Sequence, residues 1–242
     1  MKRIASWKNQ IYEFDFMKGK CIYCGNDGNT GDHVPSKVFY HMTKNINTPK
    51  VCCCRECNDR FSRDEEFVAF SIDWLSNKLQ DTPLKTKTLQ YLDFHGCHAF
   101  DAIKESVKNI NDLSNNERFQ VVFEKLAAGH LWIDRQLLTI GVAPSISFEQ
   151  SNVFSGNSID LLDAIDDINL GDVNAIMEIS SEDGEPEKQI AMRINEYEQE
   201  GADYKYCISE SKDGWRVEII IRDFLKANLF YAVSDIYQQQ IS

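Results

Sequence analysis

Apolar positions along the chain recur at two periods. Phe67, Phe70, Trp74, Leu75 and Leu79 fall at near-helical spacing, which predicts a helix over about 63–79. Ser62 followed by Glu65 reads as a capping box that opens it. Helical patterns return at 98–110, through Phe100, Ile103, Val107 and Ile110. They return again at 117–128, through Phe119, Val122, Phe123 and Leu126, with Gly129 as the expected C-cap. Residues 131–140 fit helix or strand, and 141–160 read as loop with short extended pieces.

Strand patterns dominate the last third. Residues 173–180 form a short apolar-rich run. Residues 203–209 and 214–223 flank an Asp-Gly turn signal at Asp213-Gly214, which predicts a hairpin. In the second of these, Trp215, Val217, Ile219 and Ile221 alternate with Arg216, Glu218 and Arg222. Residues 225–233 read as a further strand. Between these regions Leu161, Leu162, Ile165 and Ile168 share one helical face, with Asp160, Asp163, Asp166 and Asp167 mostly on the other. That pattern is a solvated amphipathic face, since no Asp-x-Asp-x-Asp-Gly calcium loop is present. Residues 182–187 read as a polar loop. The expected class is α+β.

Composition adds limits. At 242 residues with 43% hydrophobic and 26% charged residues, the chain is an ordinary globular protein. No apolar run reaches the ~18 residues of a membrane span, and Met1–Gln10 lacks an apolar signal core. A cytoplasmic protein with no membrane partner is expected. The formal charge of −12 argues against nucleic acid when taken whole. Residues 1–60, however, hold ten Lys and Arg against six acids, so they carry +4. The rest holds 16 basic and 32 acidic residues and carries −16. A module over 1–80 and an acidic mixed α+β region over 81–242 are expected, with Asp81-Thr82-Pro83 as the break.

Cysteine placement sharpens the picture. Cys21, Cys24, Cys52, Cys53, Cys54 and Cys57 crowd the first module, while Cys97 and Cys207 stand apart as expected core thiols. Cys21-x-x-Cys24 and Cys54-x-x-Cys57 are two knuckles, each able to offer two thiolates to a tetrahedral structural zinc. Cys53 with Cys57 is sterically feasible too, but Cys54 with Cys57 matches the first knuckle. The alternative is a cluster of buried reduced thiols.

Between the knuckles lies Asp32-His33-Val34-Pro35, and Asn58 follows Cys57 directly. With Cys21-Ile-Tyr-Cys24-Gly25, Cys54-Arg-Glu-Cys57-Asn58 and Ser62-Arg-Asp-Glu65, this resembles the HNH endonuclease family over residues 15–75. A weaker echo appears at Phe123-Glu-Lys125-Leu-Ala-Ala-Gly129, like a Lys–Gly helix end downstream in such proteins. The resemblance implies a zinc-stabilised ββα-metal module followed by the mixed α+β region. It implies His33 as the general base that activates water against a phosphodiester. It also implies Asp32 and Asn58 as ligands of a catalytic Mg²⁺ or Mn²⁺. The place of the family's middle Asn falls on Pro49, with Asn45 and Asn47 displaced nearby. Proteins of this type are often encoded with partners in bacterial defence or mobile elements, an association of the family and not of these residues.

The expected function is therefore metal-dependent hydrolysis of nucleic acid, with double-stranded DNA as the expected substrate. The competing readings are an RNA-directed nuclease and an inactive zinc-bound assembly module. Lys37, Lys44, Lys50, Arg55, Arg60 and Arg63 would line a phosphate path or simply be solvated surface. His41 would contact the scissile phosphate or lie at the surface. His95 and His98 invite a second metal site but lack a matching pair, and His130 is expected in the core or at a helix end. Trp7, Tyr12, Phe14 and Phe16 could stack on bases, or anchor the N-terminal segment. A protein partner for the acidic region is a further expectation.

Overall fold

The structure is a computed structural model that describes residues 19–40, 48–80, 84, 88–89, 97–151, 176–180, 186–193 and 204–233. Trp7, Tyr12, Phe14, Phe16, His41, Lys44, Asn45, Asn47, the 81–83 break, His95 and the 160–168 pattern lie outside the described residues.

The fold is α+β. An antiparallel pair, β1 (Thr30–His33) and β2 (Lys50–Cys53), sets His33 opposite Lys50 and Asp32 opposite Val51. A short 3-10 turn, Lys37–Phe39, follows β1. Helix α1 (Arg55–Gln80) follows β2. After α2 (Cys97–Ser106) and a 3-10 turn at Ile110–Asn115 comes α3 (Glu117–Arg135). The six remaining strands form one antiparallel sheet. They are β3 (Ser145–Gln150), β4 (Ile176–Ser180), β5 (Pro186–Arg193), β6 (Tyr204–Ser211), β7 (Gly214–Ile221) and β8 (Leu225–Ala232). Their order is β3-β8-β7-β6-β5-β4.

Four boundaries differ from the sequence reading. Helix α2, expected over 98–110, ends at Ser106. Helix α1 starts at Arg55, not near 63. Its buried stripe is Cys57, Phe61, Glu65, Val68, Ile72 and Leu75, a helical repeat that begins at the second knuckle. Ser62 is therefore no cap. Its hydroxyl bonds back to the Asn58 carbonyl at 3.0 Å, one turn earlier in the same helix. Helix α3 runs through Gly129 to Arg135 and ends at Gln136, whose φ of 57° supplies the left-handed cap. Gly129 serves close packing instead, because a Cβ there would stand 2.6 Å from Val34 Cγ2. Finally, β5 begins at Pro186, inside the stretch expected to be loop, and its 186–193 run went unread as strand.

The other expected strands are present. The hairpin β6–β7 turns at Lys212-Asp213, and Val217, Ile219 and Ile221 point inward. One hydrophobic cluster joins Val68, Ile72 and Leu75 of α1, Phe119, Phe123 and Leu126 of α3, and Ile208, Val217, Ile219 and Leu229 of the sheet. The core thus runs continuously across residue 80. Helix α3 lies in that core and also backs the β1 segment through Gly129. Asp73 of α1 and Arg222 at the β7–β8 turn form an ion pair at 2.9 Å, with both side chains buried. No described helix is long and apolar enough to cross a membrane.

Candidate functional site

The four knuckle sulfurs converge. Cys21, Cys24, Cys54 and Cys57 place their Sγ atoms within 4.8 Å of one another, a set positioned to bind one metal ion and compatible with structural zinc. The first knuckle turns through Gly25, whose φ of 76° admits no ordinary side chain comfortably. Its N–H bonds the Cys21 carbonyl at 2.9 Å. The second knuckle is the start of α1. Cys54 Sγ accepts from the Cys57 backbone N–H at 3.4 Å, so a thiolate there also caps a helix N-terminus. Cys53 is not in the set. It is a buried β2 residue whose thiol bonds the Cys54 carbonyl. A hydrogen bond from Cys53 holds Cys21 well below the ordinary thiol value, at about 4, against the effect of burial. Burial pushes Cys24 and Cys57 upward, and a bound dication is what holds such sulfurs as thiolates.

His33 closes β1. Its Nδ1 lies 2.7 Å from Thr48 Oγ1 and 3.4 Å from the Thr48 carbonyl oxygen. Both Thr48 contacts are made with the proton on Nδ1, and in that tautomer the Nε2 lone pair is available. Thr48, just before Pro49, thus holds the imidazole. Burial lowers the His33 pKa below 6.5, and the nearby positive charges of Lys37 and Lys50 add to the effect. The imidazole is neutral at pH 7.

Asp32 points the other way along the strand, toward α1 and α3, and is only 5% exposed. Tyr23 donates to Oδ2 at 2.7 Å. Lys125 Nζ donates to Oδ1 at 3.0 Å and sits 2.9 Å from Oδ2. The same ammonium pairs with Glu65 Oε1. Burial pushes the Glu65 carboxyl above its usual range despite Lys125. Burial also opposes the Lys125 charge, but Glu65 and Asp32 outweigh it and raise its pKa. Phe61 walls the cluster, edge-on to Tyr23 at 5.0 Å and 5.5 Å from Lys125 Nζ.

Asn58 sits half-buried in the first turn of α1. Its backbone N–H bonds the Cys54 carbonyl at 3.0 Å. Among the described residues no hydrogen bond joins it to Asp32. Asn58 and Glu65 share a helix face two turns apart, about 10 Å along the axis. In this arrangement the pair does not fit a catalytic divalent ion. Both Asp32 oxygens carry hydrogen bonds, and an ion between them would stand against the Lys125 ammonium.

The remaining candidates divide simply. Lys37, Lys50, Arg55, Arg60 and Arg63 are exposed. Arg60, Arg63 and Arg118 line a shallow cleft of about 400 Å³ together with Asp59 and Asp64. His130 is a core residue, stacked on Tyr206 at 3.6 Å and bonded to Tyr204 Oη at 2.8 Å. Cys97 and His98 open α2. Cys207 is only partly buried, so it is not a full core thiol.

Thr48, Tyr23, Glu65 and Lys125 were missed as site residues. Two of them carried a readable signal. Glu65 follows Phe61 by four and precedes Val68 by three, and Lys125 follows Val122 by three. Both are charges set on apolar helix faces, which is unusual unless they are paired. No protein-family model, no curated protein and no solved structure matches this chain, so the geometry itself bears on what it does.

Proposed function

We propose that the chain is a hydrolase of HNH type that cleaves phosphodiester bonds in nucleic acid, with double-stranded DNA as the favoured substrate. The observation that carries this reading is His33. It is a neutral imidazole with Nδ1 clamped by Thr48 and Nε2 left to accept a proton, at the end of a hairpin beside a four-sulfur cluster. In this reading Nε2 takes the proton from water as its oxygen attacks phosphorus, the P–O bond to the leaving ester oxygen breaks, and that oxygen takes a proton from solvent. Lys37 and Lys50, close enough to depress the His33 pKa, draw the phosphate in. A structural zinc on Cys21, Cys24, Cys54 and Cys57 supplies rigidity, fixing the start of α1 against the hairpin. In this reading Lys125, not a divalent ion, holds Asp32, so the Mg²⁺ or Mn²⁺ that the resemblance assigns to Asp32 and Asn58 does not sit there.

The Asp32 contacts favour a second reading, in which the site is inactive and the zinc-bound unit serves assembly. One comparison separates the two. Purified full-length protein is incubated with plasmid DNA, single-stranded DNA and RNA in Mg²⁺ or Mn²⁺, beside His33→Ala. The expected result is cleavage by the wild type and a loss of about 100-fold or more in the variant. Equal cleavage by both proteins would sink the catalytic assignment. Preference for RNA would move the substrate class but keep the chemistry.

A further inference from the structure

Lys125 reaches the site from outside the hairpin-and-helix unit. It belongs to α3, and its side chain has no solvent exposure. Its ammonium bridges Asp32 and Glu65, whose side chains are 7% and 4% exposed. Tyr23 adds a donor to Asp32, and the Ser36 hydroxyl adds one to Glu65. One ammonium serves two carboxyl groups in a nearly dry place. Such a group persists only if each member is held by the others, because an unpaired buried charge is costly. The approach of α3 is built for this contact. Gly129, one turn after Lys125, lets the helix lie directly on Val34, two residues past Asp32.

We propose that Lys125 is a positioning residue of the His33–Asp32 site. Its ammonium occupies the cation place between Asp32 and Glu65, and so fixes Asp32 beside the base. Its effect on cleavage rests on the hydrolase reading. Its occupancy of the Asp32–Glu65 place is a property of the protein alone. Removing the ammonium should convert that place into a divalent-cation site of two carboxylates and a tyrosine.

The test uses full-length, zinc-loaded wild type, Lys125→Met and Lys125→Met/Asp32→Asn, titrated with Mn²⁺ and followed by electron paramagnetic resonance without nucleic acid. Lys125→Met should bind Mn²⁺ about tenfold or more tightly than the wild type, and the double variant should lose that gain. Equal Mn²⁺ binding by wild type and Lys125→Met would overturn the proposal. If Lys125→Met does not fold, Lys125→Met/Glu65→Gln removes one buried carboxyl together with the ammonium. It should then still bind Mn²⁺ more tightly than the wild type, and no gain overturns the proposal equally. In cleavage assays Lys125→Met should lower kcat about tenfold or more while KM for nucleic acid stays nearly constant. Wild-type kcat in a folded variant would overturn the positioning role. Because Mn²⁺ binding is read without substrate, failure of the hydrolase reading and failure of this proposal are told apart.

Discussion

Thr48 and His33 make the clearest case at the scale of single residues. The Thr48 hydroxyl and carbonyl both face Nδ1, so the ring has one favoured orientation. Thr48→Val keeps the carbonyl and removes the shorter contact. We expect it to lower kcat about tenfold, roughly 1.4 kcal/mol in the barrier, with KM little changed. Steady-state kinetics check this, and an unchanged kcat would show that the carbonyl alone suffices. The lowered His33 pKa fixes the pH response. On the hydrolase reading the base must be unprotonated, so cleavage should be present above the folded pKa, which burial lowers from 6.5, and lost as pH falls through it. The acid limb of kcat/KM should therefore have its midpoint below the ordinary histidine value, and a midpoint above it would contradict the buried, lysine-flanked ring. Stability follows the same sign. The unfolded chain binds this proton more tightly, so the His33 contribution is present above 6.5 and declines as pH falls toward the folded value.

Between elements, two contacts set how the helices meet the hairpin. Gly129 brings α3 onto Val34, and no side chain fits between them. Gly129→Ala should destabilise the protein by about 1–3 kcal/mol, the usual cost of overpacking. The gain in intrinsic helix propensity from Ala, about 1 kcal/mol, offsets part of this. Urea unfolding measures the balance, and Val34→Ala in the same chain should recover some of the loss. A stabilised Gly129→Ala protein would mean that the β1 segment moves aside freely. The cysteine knuckles act on the other end of the hairpin. Two sulfurs come from the turn before β1 and two from the start of α1, so removing the metal should release the helix start. We expect atomic absorption to find a single zinc in reduced protein, and a chelator to lower the melting temperature. Zinc near zero in folded protein would reject the cluster as a metal centre.

For the whole molecule, the question is whether the first 80 residues stand alone. Val68, Ala69, Ile72 and Leu75 of α1 are fully buried, and they lie in the cluster shared with α3 and the sheet. A fragment ending at Gln80 would expose this face and lack Lys125. It should be poorly folded by near-ultraviolet circular dichroism and inactive even with zinc bound. A well-folded, active fragment would show that the shared core is dispensable. Charge also acts at this scale. With +4 on residues 1–60 and −16 beyond, binding of the full chain to DNA should be weak at physiological salt and strengthen as salt falls. The sequence by itself determined the two knuckles, the Asp-His pair and most of the strands. These are local signals, carried by fixed spacings, turn residues and a two-residue period. It did not determine that Thr48 holds His33, that Glu65 leaves the expected cap to become a buried partner, or that Lys125 reaches Asp32 from 93 positions away. Those pairings depend on which face of α1 and α3 is buried and on a glycine that lets two backbones approach, and only the tertiary structure fixes both.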